Sequence, residues 1–180
     1  VQLEKGSQML RNRIIDTNGE PKYITISGEM SSFLNKEYRE IMTKNTGVWT
    51  DKHLNAIKNY YRKAPAISEL LPVVEDFLSK DYETVCEWVC ASVKTIKELL
   101  DIKTPIILQS SIDYDHECKK SNLVYAICNA ISADTYFSGR GASVEYLDRD
   151  KFAENGINIV FQDSLPSKLL LKMIIFLIYF

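Results

Sequence analysis

The chain has 180 residues, enough for one domain with a core of its own. Apolar residues make up 46% and charged residues 26%, the ordinary range of soluble globular proteins. Lys and Arg total 22 and Asp and Glu total 24, and the resulting net charge of −2 excludes general nucleic-acid or membrane-surface binding by bulk charge.

The first elements form a predicted β-hairpin. Asn18-Gly19 is a turn signal, and Glu20-Pro21 supports it. Tyr23 to Ile26 is β-branched and aromatic, so it reads as a strand, and Arg11 to Ile15 is its expected partner. Side chains alternate along a strand, so Arg11 and Arg13 point to one side. Two guanidiniums on one face suit phosphate or carboxylate; a merely solvated strand face has the same pattern. Lys5 adds a further cation in this segment.

Helices follow. Residues 50–63 read as a helix that Thr50 or Asp51 can cap and that Pro65 ends. His53, Ile57, Tyr60 and Ala64 share its apolar face. Lys52 and His53 are thereby expected to open this helix, where the N-terminus favours anions. His53 is a candidate acid or base, since its ordinary pKa is near 6.5; a structural, partly buried histidine fits the same stripe. Residues 67–79 form a second helix, with Pro72 placed to kink or divide it. Tyr82 to Leu100 is the strongest helix, with Val85, Val89, Val93, Ile96 and Leu100 as its apolar stripe. Cys86 and Cys90 lie four apart on it and are expected to face the core. His116 sits in a polar loop, and the cysteine spacings match no common zinc pattern, so no metal is expected. Free buried thiols and the lack of a signal-peptide pattern suit a reducing, cytoplasmic setting.

From residue 104 the pattern changes to alternation. Ile106 to Leu108 reads as a buried strand, Leu123 to Ile131 as a helix and Asp134 to Phe137 as a strand. Asp148 caps a short helix through Glu154, Gly156 ends it, and Ile157 to Phe161 is the next strand. Residues 104–163 are therefore expected to form a β-α-β-α-β unit with parallel strands. Ligands bind beyond the carboxyl ends of such strands, and Ser138-Gly139-Arg140-Gly141 lies at one. The glycines let backbone N–H groups approach a ligand, Arg140 supplies charge, and Tyr146 offers a ring or hydroxyl. An ordinary connection needing positive φ angles would carry the same glycines. The end of the chain, Leu169 to Phe180, is a hydrophobic dozen interrupted by Lys172, too short for a normal membrane span.

Read together, several collinear segments resemble the WbqC-like family of bacterial proteins. They are Val1 to Ser7 running into Arg11-Asn12-Arg13-Ile14 and Asn18-Gly19, then Trp49 through Lys52-His53-Leu54 to Tyr61-Arg62-Lys63-Ala64-Pro65. Leu100 to Ile106, Thr135 to Gly139 with Gly141 and Tyr146-Leu147-Asp148, and Gly156-Ile157 to Asp163 continue the match. Ala66-Ile67 departs from the aromatic pair usual after Ala-Pro, and the tail from Ser164 does not follow the family pattern.

The resemblance implies an α/β fold: a Rossmann-like, mostly parallel sheet with a helical insertion at about residues 50–101 and an N-terminal β-hairpin. Residues 1–163 are expected to be a single domain, incomplete at the N-terminus, and residues 164–180 an atypical hydrophobic tail. It implies a transferase modifying a nucleotide-linked amino sugar, as by aminoacyl or glycyl transfer, in surface-polysaccharide and O-antigen biosynthesis. The alternatives are a non-catalytic ligand-binding or scaffold protein of the same pathway, or an inactive truncated gene product. The expected partner is a small anionic substrate such as a nucleotide sugar, with no nucleic acid and no membrane; no cofactor is implied. On this reading His53 and Lys52 are the catalytic candidates. Lys5, Arg11, Asn12, Arg13, Ser138, Gly139, Arg140, Gly141 and Tyr146 are the substrate-binding ones.

Overall fold

The computed structural model describes residues 10–28, 36–44, 46–141 and 143–162. Among them the fold is mixed α and β, with one antiparallel hairpin, one parallel strand pair and several helices. The chain divides into two compact units at Lys103 and Thr104.

In the first unit, β1 (Arg11–Ile15) pairs antiparallel with β2 (Pro21–Thr25), in the register Arg11 to Thr25 through Ile15 to Pro21. The predicted turn is built around Asp16. Its carboxylate accepts the N–H groups of Asn18 and Glu20, both at 2.9 Å. Gly19 takes a φ of +84°, which glycine adopts without a Cβ clash. Those backbone bonds, the Glu20 N–H foremost, hold the Asp16 carboxyl below its ordinary pKa. Asn12, Ile14 and Ile24 share one hairpin face, and Ile14 and Ile24 are buried.

That face joins a core with α1 (Thr46–Tyr60), α2 (Ile67–Leu78) and α3 (Val85–Leu99). An aromatic cluster forms its centre. The Phe77 and Trp88 rings meet edge-on at 4.6 Å, and Trp88 lies 5.6 Å from Trp49. Each such side chain contributes ~1.5–3 kcal/mol by leaving water.

Three local expectations change here. The first helix starts at Thr46, not at residue 50, so neither Thr50 nor Asp51 caps it. The buried Trp49 indole donates to the Lys44 carbonyl at 3.1 Å and ties down an extra turn. Thr50 lies inside the helix, and its hydroxyl donates to the Gly47 carbonyl. The third helix starts at Val85, because Thr84 forms a capping box with Glu87. Its buried face is Val85, Trp88 and Ser92, while Val93 and Leu100 of the expected stripe stay exposed. Finally, α2 runs through Pro72 without a break.

The second unit holds α4 (Ser121–Ala130), β3 (Thr135–Ser138), α5 (Ser143–Tyr146), α6 (Arg149–Glu154) and β4 (Asn158–Phe161). β3 and β4 are parallel, in the register Thr135 to Asn158 through Ser138 to Phe161. Asp148 caps α6 by accepting the Lys151 N–H, and Gly156, at a φ of +74°, ends it, both as the local chemistry predicts. The core of this unit is Cys128, Leu147, Phe152 and Ile157.

The predicted strand Ile106 to Leu108 is absent. These residues belong to no helix or strand, and Ile107 is 56% exposed. A strand exists only by pairing, and nothing among the described residues pairs with this run. The expected β-α-β-α-β unit is therefore reduced, among the described residues, to one parallel pair and its helices. No helix among them is long and apolar enough to cross a membrane. Lys5 and the hydrophobic tail from Ser164 onward lie outside the described residues.

Candidate functional site

The loop after β3 is a tightly bonded corner. Ser138 is buried, and its hydroxyl donates to Ser143 Oγ at 3.0 Å. Ser143 Oγ in turn donates to the Gly139 carbonyl at 2.6 Å. The Gln162 N–H donates to the Ser138 carbonyl at 2.7 Å and extends the parallel ladder past the strand end. These bonds lock the loop without engaging its glycine amides. Neither the Gly139 nor the Gly141 N–H donates a hydrogen bond among the described residues.

Neither glycine needs to be a glycine for the chain's own sake. Neither has a positive φ, and a Cβ built on either meets nothing within 4 Å. The positive-φ explanation of this loop therefore does not hold. Gly139, Arg140, Gly141 and Tyr146 are all exposed around it.

In the first unit, Arg11, Arg13, Tyr23 and Thr25 share the outer hairpin face. The two arginines stand on one side as alternation predicts, both exposed, with the Arg11 guanidinium 4.8 Å over the Tyr23 ring. A stacked guanidinium keeps its in-plane N–H fork available to an anion. Asn12 is not brought together with them. It points to the other face, and its Oδ1 accepts the Arg13 N–H at 2.9 Å.

Lys52 and His53 do not open the helix. With α1 starting at Thr46, both fall beyond its first turn, where the dipole effect has faded. Lys52 is exposed. His53 is 8% exposed, meets the Trp49 ring edge-on, and accepts the Thr25 N–H at Nε2 at 3.3 Å. Burial pushes its pKa down to about 4, so the imidazole is neutral near pH 7, with its proton on Nδ1.

A model of the WbqC-like protein family matches residues 1–168. This chain belongs to the WbqC-like family. Among curated proteins and among solved structures, nothing matches it.

In this WbqC-like protein, sequence reasoning misses Arg149. Its guanidinium lies 5.0 Å over the Phe161 ring, and both residues line an open groove of about 460 Å³ beside β4. The only local signal was its place directly after the Asp148 cap. The meeting with Phe161 depends on the β4 register and has no local signature. Cys86 and Cys90, expected in the core, are both half-buried, with sulfurs 4.0 Å apart. Burial first, and then Cys86, pushes the Cys90 thiol up.

Proposed function

We propose that this WbqC-like protein binds a small anionic ligand, such as a nucleotide sugar, at the carboxyl end of β3. The proposed activity is transfer onto a nucleotide-linked amino sugar, for example of an aminoacyl or glycyl group, in surface-polysaccharide and O-antigen assembly. One observation carries the binding site: Gly139 and Gly141 have open space around them and N–H groups that donate no hydrogen bond among the described residues. Backbone N–H groups beyond a parallel strand suit phosphate oxygens. Arg140 and Tyr146 flank them, and Arg11 and Arg13 form a separate cationic face on the hairpin. The parallel β3–β4 pair is the repeating unit of a Rossmann-like sheet, which fits the proposed fold relation.

Within the first unit, Lys52 is an exposed catalytic candidate. His53 is a positioning residue, holding β2 through Thr25 beside the strand that bears Arg11. The engagement of His53 also favours a second reading, a non-catalytic ligand-binding or scaffold protein of the same pathway.

Calorimetric titration with a uridine-diphosphate amino sugar tests the site. Gly139→Val and Gly141→Val should each weaken binding tenfold or more while leaving the circular dichroism unchanged. Unaltered binding in both overturns the site. Incubation of that sugar with ATP and glycine, read by mass spectrometry, separates transfer from binding alone.

A further inference from the structure

The parallel pair leaves one side of β4 without a strand partner among the described residues, and a groove lined by β4 and α6 lies beside β4. Asn158 donates its N–H to Asp134 at 2.8 Å and Gln162 donates to Ser138 at 2.7 Å, so both amides turn toward β3. Alternation along the strand then turns the Ile159 and Phe161 amides outward. Neither donates a hydrogen bond among the described residues. Both residues line the groove of about 460 Å³, whose other wall is Arg149 and Ala153, one turn apart on α6.

Strand edges in native proteins are usually blunted by lysine, proline or a bulge. The β4 sequence Asn158-Ile159-Val160-Phe161 carries no charge and no proline. Among the residues that line the groove the one charge is Arg149, which makes no ion pair among the described residues. Its position over the Phe161 ring sets the guanidinium at the carboxyl end of β4, and a guanidinium over a ring can still offer its N–H fork to an anion.

We infer that this edge is a docking site for an extended peptide carrying a carboxylate. The peptide adds a strand beside β4, its backbone pairing with the outward N–H and C=O groups of Ile159 and Phe161. Its carboxylate meets Arg149 in a charge-assisted bond. Charge complementarity at Arg149 selects an acidic strand over a neutral or basic one. The inference stands apart from the proposed sugar-nucleotide site, because it uses the β4 edge and not the Ser138–Gly141 loop.

The test uses the full chain and a fluorescein-labelled peptide of alternating valine and threonine that closes on glutamate. Fluorescence anisotropy should show saturable binding. Replacing the glutamate by lysine, or N-methylating alternate peptide amides, should each weaken it tenfold or more. Arg149→Ala should weaken the glutamate peptide by a similar factor and erase the preference for glutamate over lysine. A purely structural arginine would not remove that preference. Circular dichroism checks the fold of the variant, and the peptide-side changes need no variant at all. No saturable binding, indifference to N-methylation, or a preference that survives in Arg149→Ala overturns the inference. Sedimentation of the free protein as a dimer that the peptide dissociates also overturns it, in favour of a second copy at the same edge.

Discussion

The β1–β2 hairpin and the β3–β4 pair are each two strands wide among the described residues, yet only the hairpin has edge amides tied down by side chains of a helix. At the hairpin, the outward N–H of Thr25 on β2 is taken by His53, and that of Ile15 on β1 by the Tyr61 hydroxyl at 2.9 Å. One helix and the residue after it thus take one outward amide on each edge, and the inner hairpin face is buried in the larger core. At β4 the outward amides have no partner among the described residues, and the sheet face bearing Phe137 and Val160 is exposed, with Phe137 at 62%. Edge amides closed by side chains serve the fold, and amides left open beside an arginine are available to a partner. The substitutions below separate these two uses.

The largest effect is expected at Phe77, 1% exposed and packed on Trp88, which in turn packs on the α1 residue Trp49. Phe77→Ala should cost about 3–5 kcal/mol in urea unfolding followed by tryptophan fluorescence. Both tryptophans, Trp49 and Trp88, belong to this core, so the signal reports it directly. A cost under about 1 kcal/mol would show that the core does not hold α1 against the hairpin.

His53 comes next, through pH. Its folded pKa is about 4 against an ordinary 6.5, so the folded state refuses a proton that the unfolded chain takes up between those values. Stability is therefore full above pH 6.5 and falls as pH drops toward 4, levelling below that. At about 1.4 kcal/mol per pH unit, the ceiling on this loss is about 3 kcal/mol. His53→Leu should flatten the dependence in that window. At pH 7 it should cost about 1–3 kcal/mol, since the Thr25 N–H loses its acceptor. An unchanged pH profile in the variant would remove His53 from the edge-closing role.

Tyr61→Phe removes only the hydroxyl that accepts the Ile15 N–H. The expected cost is about 0.5–1.5 kcal/mol, with faster hydrogen exchange at the Ile15 amide. Exchange unchanged at that amide would mean that the β1 edge is closed by something other than Tyr61.

What the sequence made legible follows a physical line. The hairpin turn at Asn18-Gly19, the Asp148 cap and the Gly156 stop were all readable, because each is decided by groups within a few residues. The closing of the hairpin edges was not, since His53 and Tyr61 reach amides 28 and 46 residues away. The start of α1 was misread for a related reason. Thr50-Asp51 offered a local cap, but the indole of Trp49 won by bonding back to Lys44. Ile106 to Leu108 had the composition of a buried strand, but composition cannot supply the pairing partner a strand requires. At the candidate site, the position of the Ser138–Gly141 loop followed from topology. The backbone angles of its glycines and the Arg149–Phe161 contact needed coordinates.

The smallest expected effect is the sharpest contrast with the hairpin. Phe137 lies opposite Val160 on the exposed face of the parallel pair, whereas Ile24 occupies the buried hairpin face. Replacing an exposed side chain removes little burial, so Phe137→Thr should change stability by no more than about 0.5 kcal/mol. Threonine is β-branched and, like phenylalanine, favoured in strands, so the pairing of β3 with β4 is preserved. The variant should also aggregate less on heating, because a large ring leaves an uncovered face. A loss above about 2 kcal/mol would mean that this face is covered in solution. The contrast between a sealed hairpin and an open parallel pair would then narrow to the β4 edge alone.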